Sequence, residues 1–224
     1  MDLRKLRKPE PLAKMALNAL RNSILSNELK ANVIYNEKKL AETLGISRTP
    51  VREALLELSA KNLIRFLPQK GVMLNTFSAQ DIEDVFEIRT ELEFFAIKKI
   101  CLTAQEVDLL VAGKCIELQR AAVTAADAVA FMEADKDFHL SFSKLANNNY
   151  LMETMRDIRD IIHVMGFRAL RNSGRMEQVI KEHQSILAAV EIGDAQLAMD
   201  LMDNHLIISR EAVHNIKQEG DYHA

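Results

Sequence analysis

The sequence predicts a mainly α-helical protein in two parts, the first of which carries one short β-hairpin. Three observations lead there. From Ser78 onward apolar residues recur at helical spacing, no proline follows Pro68, and only Gly113, Gly166 and Gly174 fall between residues 78 and 192. Strand-like apolar runs are confined to Leu63–Leu67 and Val72–Leu74. The charge also divides: residues 1–77 hold 14 Lys and Arg against 7 Asp and Glu, while residues 78–224 hold 15 against 25 and all six histidines. A basic part joined to an acidic one implies that only the first meets a polyanion. The expected domains are 1–77 and 78–224, with the junction near Asn75–Ser78.

In the first part, Leu12, Met15, Ala16, Ala19, Leu20, Ile24 and Leu25 mark a helix between about Pro9 and Leu29. A short helix is expected from Glu37 to Leu44, stopped by Gly45 as its left-handed end residue. A second begins after Ser47, a good N-cap, with Pro50 in its first turn, and runs to about Ala60. The two short strands follow, joined by Pro68-Gln69-Lys70-Gly71 with the glycine at the tip. Two helices, a tight turn and a hairpin make a winged helix-turn-helix plan.

In the second part, Ser78 with Asp81 and Thr103 with Glu106 have the spacing of helix-start capping pairs. Helices are expected near 78–100, 103–122, 125–146, 149–171, 175–192 and 194–217. The short connections imply an antiparallel bundle of six or seven helices.

The chemistry of the first part lies at the start of its third helix. Arg48, Thr49 and Arg52 stand where free backbone N–H groups and the helix dipole favour phosphate, and both arginines can donate bidentate bonds to guanine edges or phosphates. Val51, Ala54, Leu55 and Leu58 have core spacing on the opposite face. The run Leu40-Ala41-Glu42-Thr43-Leu44-Gly45-Ile46-Ser47-Arg48-Thr49-Pro50-Val51-Arg52-Glu53-Ala54-Leu55, with Leu58, Leu63 and Gly71 after it, resembles the DNA-binding domain of the GntR family over about residues 10–75. The resemblance implies a homodimer on a short palindromic operator in double-stranded DNA. It assigns Ser47, Arg48, Thr49 and Arg52 to the DNA contact, with Lys38 at a usually basic position. Lys70 and Gly71 would belong to a wing that enters the minor groove. One departure is visible: the family usually has Pro-Gly in the loop before the second helix, and Lys30-Ala31-Asn32 stands there.

In the second part, Asp135 and His139 lie four residues apart on one expected helix face, with His183 and His205 on later helices. An Asp and three His make an N/O donor set for a divalent transition metal, and an octahedral ion would keep two positions open. The residue types alone leave open an ion that anchors a ligand, one that is itself the signal, and one that activates water; for the last, no general base lies close in sequence. Residues 78–217 also resemble the FCD domain of the FadR subfamily, an all-helical effector-binding bundle. Asp135-Lys136-Asp137-Phe138-His139, Glu182-His183 and Asn204-His205-Leu206 carry that resemblance. Asn148 matches an asparagine that starts the next helix, and Asn147 replaces a common glycine while tolerating a left-handed backbone. The resemblance implies a bound metal ion, with zinc the first expectation and nickel or manganese open.

Arg89 matches an arginine common in the first helix of such domains, and so implies a clamp for a small carboxylic acid effector; a salt bridge to Glu93 at i+4 is the alternative. Arg159 and Arg168 are weaker candidates of the same kind. His163 is expected at the cavity, core or dimer face, His214 and His223 at a frayed end, and Asp137 in solvent. The methionines are expected to fill core gaps. The function implied is a transcriptional regulator, a repressor relieved by its effector, and not an enzyme. Two cysteines, Cys101 and Cys115, suit a reducing cytoplasm. No apolar run approaches the roughly 18–20 residues a membrane helix needs, and the basic start lacks the apolar stretch of a signal peptide.

Overall fold

A computed structural model of the chain describes residues 10–102, 108–166 and 174–221. The chain divides into two compact units between Thr76 and Phe77.

The first unit contains α1 (Leu12–Leu25), α2 (Glu37–Leu44), α3 (Arg48–Ala60), β1 (Ile64–Leu67) and β2 (Gly71–Leu74). Helix α1 buries Ala16, Leu20, Ile24 and Leu25 against α3. Leu12 and Met15, expected in that stripe, are about half exposed. Asn36 caps α2 by accepting from the Lys38 backbone N–H, and Gly45 ends it in the left-handed conformation (φ 67°). Val51, Ala54, Leu55 and Leu58 form the buried face of α3, as their spacing predicts. Ser47 occupies the N-cap position but its side chain makes no capping bond. The strands pair antiparallel, Ile64 with Leu74 through Leu67 with Gly71.

Gly71 is not at the hairpin tip; it opens β2, and the left-handed residue of the turn is Gln69. The requirement for glycine comes from elsewhere. Gly71 has φ 132°, and a Cβ on it would lie 2.2 Å from the Tyr35 carbonyl oxygen. Tyr35 forms a bridge to Val72 there, with both N–H···O bonds made. In the loop where the family has Pro-Gly, Asn32 takes a left-handed φ of 61°. An asparagine supplies the backbone geometry that a glycine otherwise would.

The second unit contains α4 (Ala79–Cys101), α5 (Leu110–Thr124), α6 (Ala128–Leu145), α7 (Asn149–Gly166), α8 (Arg175–Glu191) and α9 (Ala195–Asp221). The expected capping box is present on α4: the Ser78 hydroxyl accepts from Asp81 N–H and the Asp81 carboxylate accepts from Ser78 N–H. The Thr103–Glu106 pair lies outside the described residues, as do Arg168 and His223. Three connections share one construction. Residues 125–127, 146–148 and 192–194 join packed neighbours, and the middle residue of each is left-handed: Ala126 (φ 52°), Asn147 (φ 47°) and Gly193 (φ 74°). A three-residue reversal between packed helices makes the pairs α5/α6, α6/α7 and α8/α9 antiparallel.

The core of this bundle is apolar at one end, with Ile97, Ile100, Phe131, Phe142, Ile186 and Met202 at most 1% exposed. Met132, Met155 and Met202 are buried within the bundle, as expected. Cys115 is a buried free thiol, and burial pushes it up to about 11. Toward α7 and the middle of α9 the interior turns polar, and there the candidate site lies.

Candidate metal centre and nucleic-acid interface

Five helices supply the polar interior: α4 carries Arg89 and Glu93, α5 Gln119, α6 Asp135 and His139, α8 His183, and α9 His205. Each of these except Asp135 is 0–2% exposed. One nitrogen from each of His139, His183 and His205 lies within 4.8 Å of the others. The rings of His183 and His205 have centroids 4.8 Å apart, and Phe138 stacks on His183 at 4.0 Å.

The hydrogen bonds orient these rings. His183 Nδ1–H donates to Gln119 Oε1 at 3.0 Å, which leaves Nε2 as a bare lone pair; that atom is fully buried and has no hydrogen-bond partner among the described residues. His205 Nδ1–H donates to Glu182 Oε2 at 2.6 Å, again freeing Nε2. Glu182 is held in turn by Arg175, through contacts of 2.7 and 3.1 Å, and Arg175 also reaches Ser209 Oγ at 3.0 Å. The third ring differs. Arg89 Nη2 donates to His139 Nε2 at 2.9 Å, while His139 Nδ1 sits 2.8 Å from Glu93 Oε1 without hydrogen-bond alignment. Outer partners that fix ring orientation in this way are typical of metal-ligating histidines.

Asp135 stands beside the triad. Its Oδ1 is 3.6 Å from His183 Nε2, and its Oδ2 accepts from Arg159. The structure therefore gathers the three histidines closely and places the fourth expected ligand at their edge, in an ion pair.

Electrostatics favour the ligand forms. Burial pushes His139, His183 and His205 below the ordinary histidine value, helped at His139 by the guanidiniums of Arg89 and Arg159 and opposed at His205 by its bond to Glu182. Neutral imidazole is the metal-binding form. Burial alone would raise Asp135, but Arg159, with His183 and His205 behind it, holds that carboxyl well below the usual carboxylate range. Burial pushes Glu93 up to about 7 and Arg89 down to about 9. The unpartnered His183 nitrogen, the neutral rings and the adjacent carboxylate fit a divalent transition-metal ion.

Arg89 forms the salt bridge that was its alternative, at 3.4 Å from Glu93, and also bonds His139, a contact not expected from sequence. A cavity of about 50 Å³ adjoins it, lined also by Arg159, Arg175 and His205. Sequence reading missed Gln119, Glu182 and Arg175 as working residues. Gln119 did leave a signal, since it interrupts the apolar stripe of Cys115, Ile116 and Ala122 at helical spacing. His163 is buried on α7 and lies outside the triad. His214 is not frayed: its Nε2 bonds Glu83 Oε1 at 2.6 Å, and Arg210 joins the same carboxylate at 3.0 Å. Asp137 is exposed, as expected.

In the first unit, Ser47, Arg48, Thr49 and Arg52 are all exposed along the start of α3, and Lys38 and Lys70 are exposed on α2 and at the hairpin turn. Arg52 lies 3.8 Å from Glu37, and Lys38 3.8 Å from Glu42. The Lys38 pair is exposed at both ends and the Arg52 pair is long, with its arginine in solvent; surface pairs are worth about 0–1 kcal/mol, so a phosphate or guanine edge can replace them at little cost. The helix presents an open, basic N-terminal end.

Residues 12–74 match the model of the bacterial regulatory proteins of the gntR family, and residues 84–207 match the FCD domain. The chain belongs to the GntR family of bacterial transcriptional regulators. A regulator of this kind binds DNA through its helix-turn-helix and is not an enzyme. This GntR protein is similar to the HTH-type transcriptional regulator YdhC of Bacillus subtilis, at 25% identity over 98% of this chain and 99% of that one. It is also 25% identical to the gluconate operon transcriptional repressor of Bacillus licheniformis, over 80% of this chain and 76% of that one. The solved structure of E. coli McbR/YncC shares its fold, with a TM-score of 0.83, 21% identity, and coverage of 93% and 100%. Among the described residues, no helix is long and apolar enough to cross a membrane.

Proposed function

We propose that this regulator works in the cytoplasm as a homodimeric repressor of the FadR subfamily, releasing a palindromic operator when a small carboxylic acid enters its FCD domain. In this reading Arg48, Thr49 and Arg52 read the operator, Ser47 and Lys38 hold phosphates, and Lys70 on the wing reaches the groove wall. His139, His183 and His205, with Asp135 alongside, hold a divalent ion, zinc before nickel or manganese. When bound, that ion supplies Lewis-acid coordination for a carboxylate oxygen. The observation that carries the reading is His183 Nε2, a fully buried nitrogen whose lone pair has no hydrogen-bond partner among the described residues while Gln119 holds the other side of the ring. An orphaned buried acceptor is costly unless something fills its place.

Arg89 is the chain's own switch element. Its guanidinium lies on His139 and borders the cavity, so an acid bound there draws it away from the ring. A cavity of about 50 Å³ has room for one or two waters at roughly 30 Å³ each. Effector entry must therefore displace side chains of α4, α7 and α9, and this coupling of binding to packing is what lets the acid favour one state over another. The dimer is supported by Ile88 and Phe95 on α4 and Leu102 at its C-cap, exposed at seven-residue intervals.

The test is metal analysis of purified protein joined to operator binding by fluorescence anisotropy. About one ion per chain is expected, lost in His183→Ala, with operator release by an organic acid only in the metal-loaded protein. Full metal content in His183→Ala overturns the assignment of the site.

A further inference from the structure

The walls of the cavity beside the histidines carry the charge to hold two anionic groups once its side chains part to admit them. Three guanidiniums border it, from Arg89 on α4, Arg159 on α7 and Arg175 at the start of α8, and each is at most 7% exposed. Each has one carboxylate partner: Glu93 for Arg89, Asp135 for Arg159 and Glu182 for Arg175. These three carboxylates at most neutralise the three guanidiniums and leave nothing to offset an ion on the histidines. A divalent ion there adds two positive charges to a water-poor interior, where uncompensated charge is strongly disfavoured.

A second observation points the same way. Arg159 is 2% exposed, and its Nε–H is buried with no hydrogen-bond partner among the described residues. Arg159 spends one Nη2–H on Asp135 and leaves the side of its fork unused. An acceptor on the cavity side is missing, and a carboxylate oxygen fits a guanidinium fork. Between the guanidiniums the wall is apolar, with Met132, Ile162, Val179 and Val213, a surface suited to a short hydrocarbon chain rather than to the hydroxyls of a sugar acid.

We infer that the effector is a dicarboxylate of short carbon chain, with one carboxylate beside Arg89 and the histidines and the other on Arg159 and Arg175. The inference rests on the metal-and-acid reading above and narrows it to a dianion. Arg159 and Arg175 are then specificity residues. Arg175 has an added part: it holds Glu182, which orients His205, so a carboxylate that draws on Arg175 also reaches the metal-binding ring.

Isothermal titration of zinc-loaded protein with matched acids tests this, using succinate against butyrate and malate against lactate. The dicarboxylate of each pair is expected to bind at least tenfold tighter. Arg159→Gln is expected to cut that preference to less than threefold, and Arg159→Lys, which keeps the charge but lacks the fork, to restore only part of it. Circular dichroism and zinc content check that each variant is folded and loaded. Because Arg159 also holds Asp135, Arg175→Lys provides an independent variant, expected to weaken dicarboxylates more than monocarboxylates. Equal affinity within both pairs overturns the dianion inference and leaves the metal-and-acid reading standing. If neither class binds to protein that carries its zinc, the acid reading itself falls, and this inference with it.

Discussion

Gln119 carries no charge and belongs to no motif, yet its carbonyl oxygen sets which nitrogen of His183 holds the proton. Replacing it with Leu keeps the bulk and removes the orientation. The expected result is a loss of about 10–100-fold in zinc affinity, read by competition with a chromogenic chelator. Unchanged affinity would make Gln119 a packing residue. On the DNA side, Arg52 is 64% exposed in its side chain and tied only to Glu37 at 3.8 Å. That pair is weak, so Arg52→Ala should leave folding intact. Operator binding should weaken by about 1–3 kcal/mol if Arg52 contacts a base, with relaxed discrimination at one operator position. Anisotropy titrations against a set of single-base operator variants separate that outcome from a uniform loss, which would assign Arg52 to phosphate.

The elements were legible to different degrees. Helices α2 and α3 have the bounds their spacing predicts; Gly45 ends α2 as a local left-handed signal, whereas Ser47 precedes α3 without making a capping bond. Helix α1 coincides with its apolar run, from an exposed Leu12 to Leu25, and is shorter than the expected span from about Pro9 to Leu29. Propensity alone cannot say where burial stops. The hairpin was legible as two strands, but the reason for Gly71 was not. Its neighbour Tyr35 is 36 residues away in sequence, and only the folded chain brings that carbonyl against it. The left-handed connectors show the same division. Asn147 and Gly193 tolerate that conformation, whereas Ala126 carries a Cβ in it and is exposed. Ala126→Gly is expected to raise stability by about 0.5–1 kcal/mol, the left-handed penalty outweighing the entropy that glycine loses. Urea unfolding measures it, and a destabilised variant would mean that the turn does not carry that strain.

Across the whole molecule, the buried histidines make stability depend on pH. In protein stripped of divalent ions, His139, His183 and His205 all resist protonation in the folded state, while their unfolded value is 6.5. As pH falls through that value the unfolded chain takes up protons that the folded one declines, so stability is present above 6.5 and lost below it. Glu93 opposes this. Its folded value of about 7 lies above the unfolded 4.5, so its contribution is present at low pH and lost as pH rises toward 7. Three groups against one leave a net loss on acidification between about pH 6.5 and 4.5, at about 1.4 kcal/mol per pH unit for each uncompensated proton. Glu93→Gln removes the opposing group and is expected to steepen the decline. Thermal midpoints across that range measure both slopes, and a flat profile would mean that the histidines titrate freely.

By itself the sequence determined the division into a basic and an acidic part, the helix and strand order, the exposed helix start with Arg48 and Arg52, and the residue types at the candidate metal site. These are properties of near neighbours, of spacing, capping and turn chemistry, which act within a few residues. Only the tertiary structure decided that three histidines close on one point with Asp135 at their edge and paired to Arg159, and that Gln119 and Glu182 stand behind the rings. The partners that orient the rings are 64 and 23 residues apart, and Arg89 meets His139 across 50. Such contacts arise from the packing of whole helices, which carries distant residues to one place and leaves no mark in local periodicity.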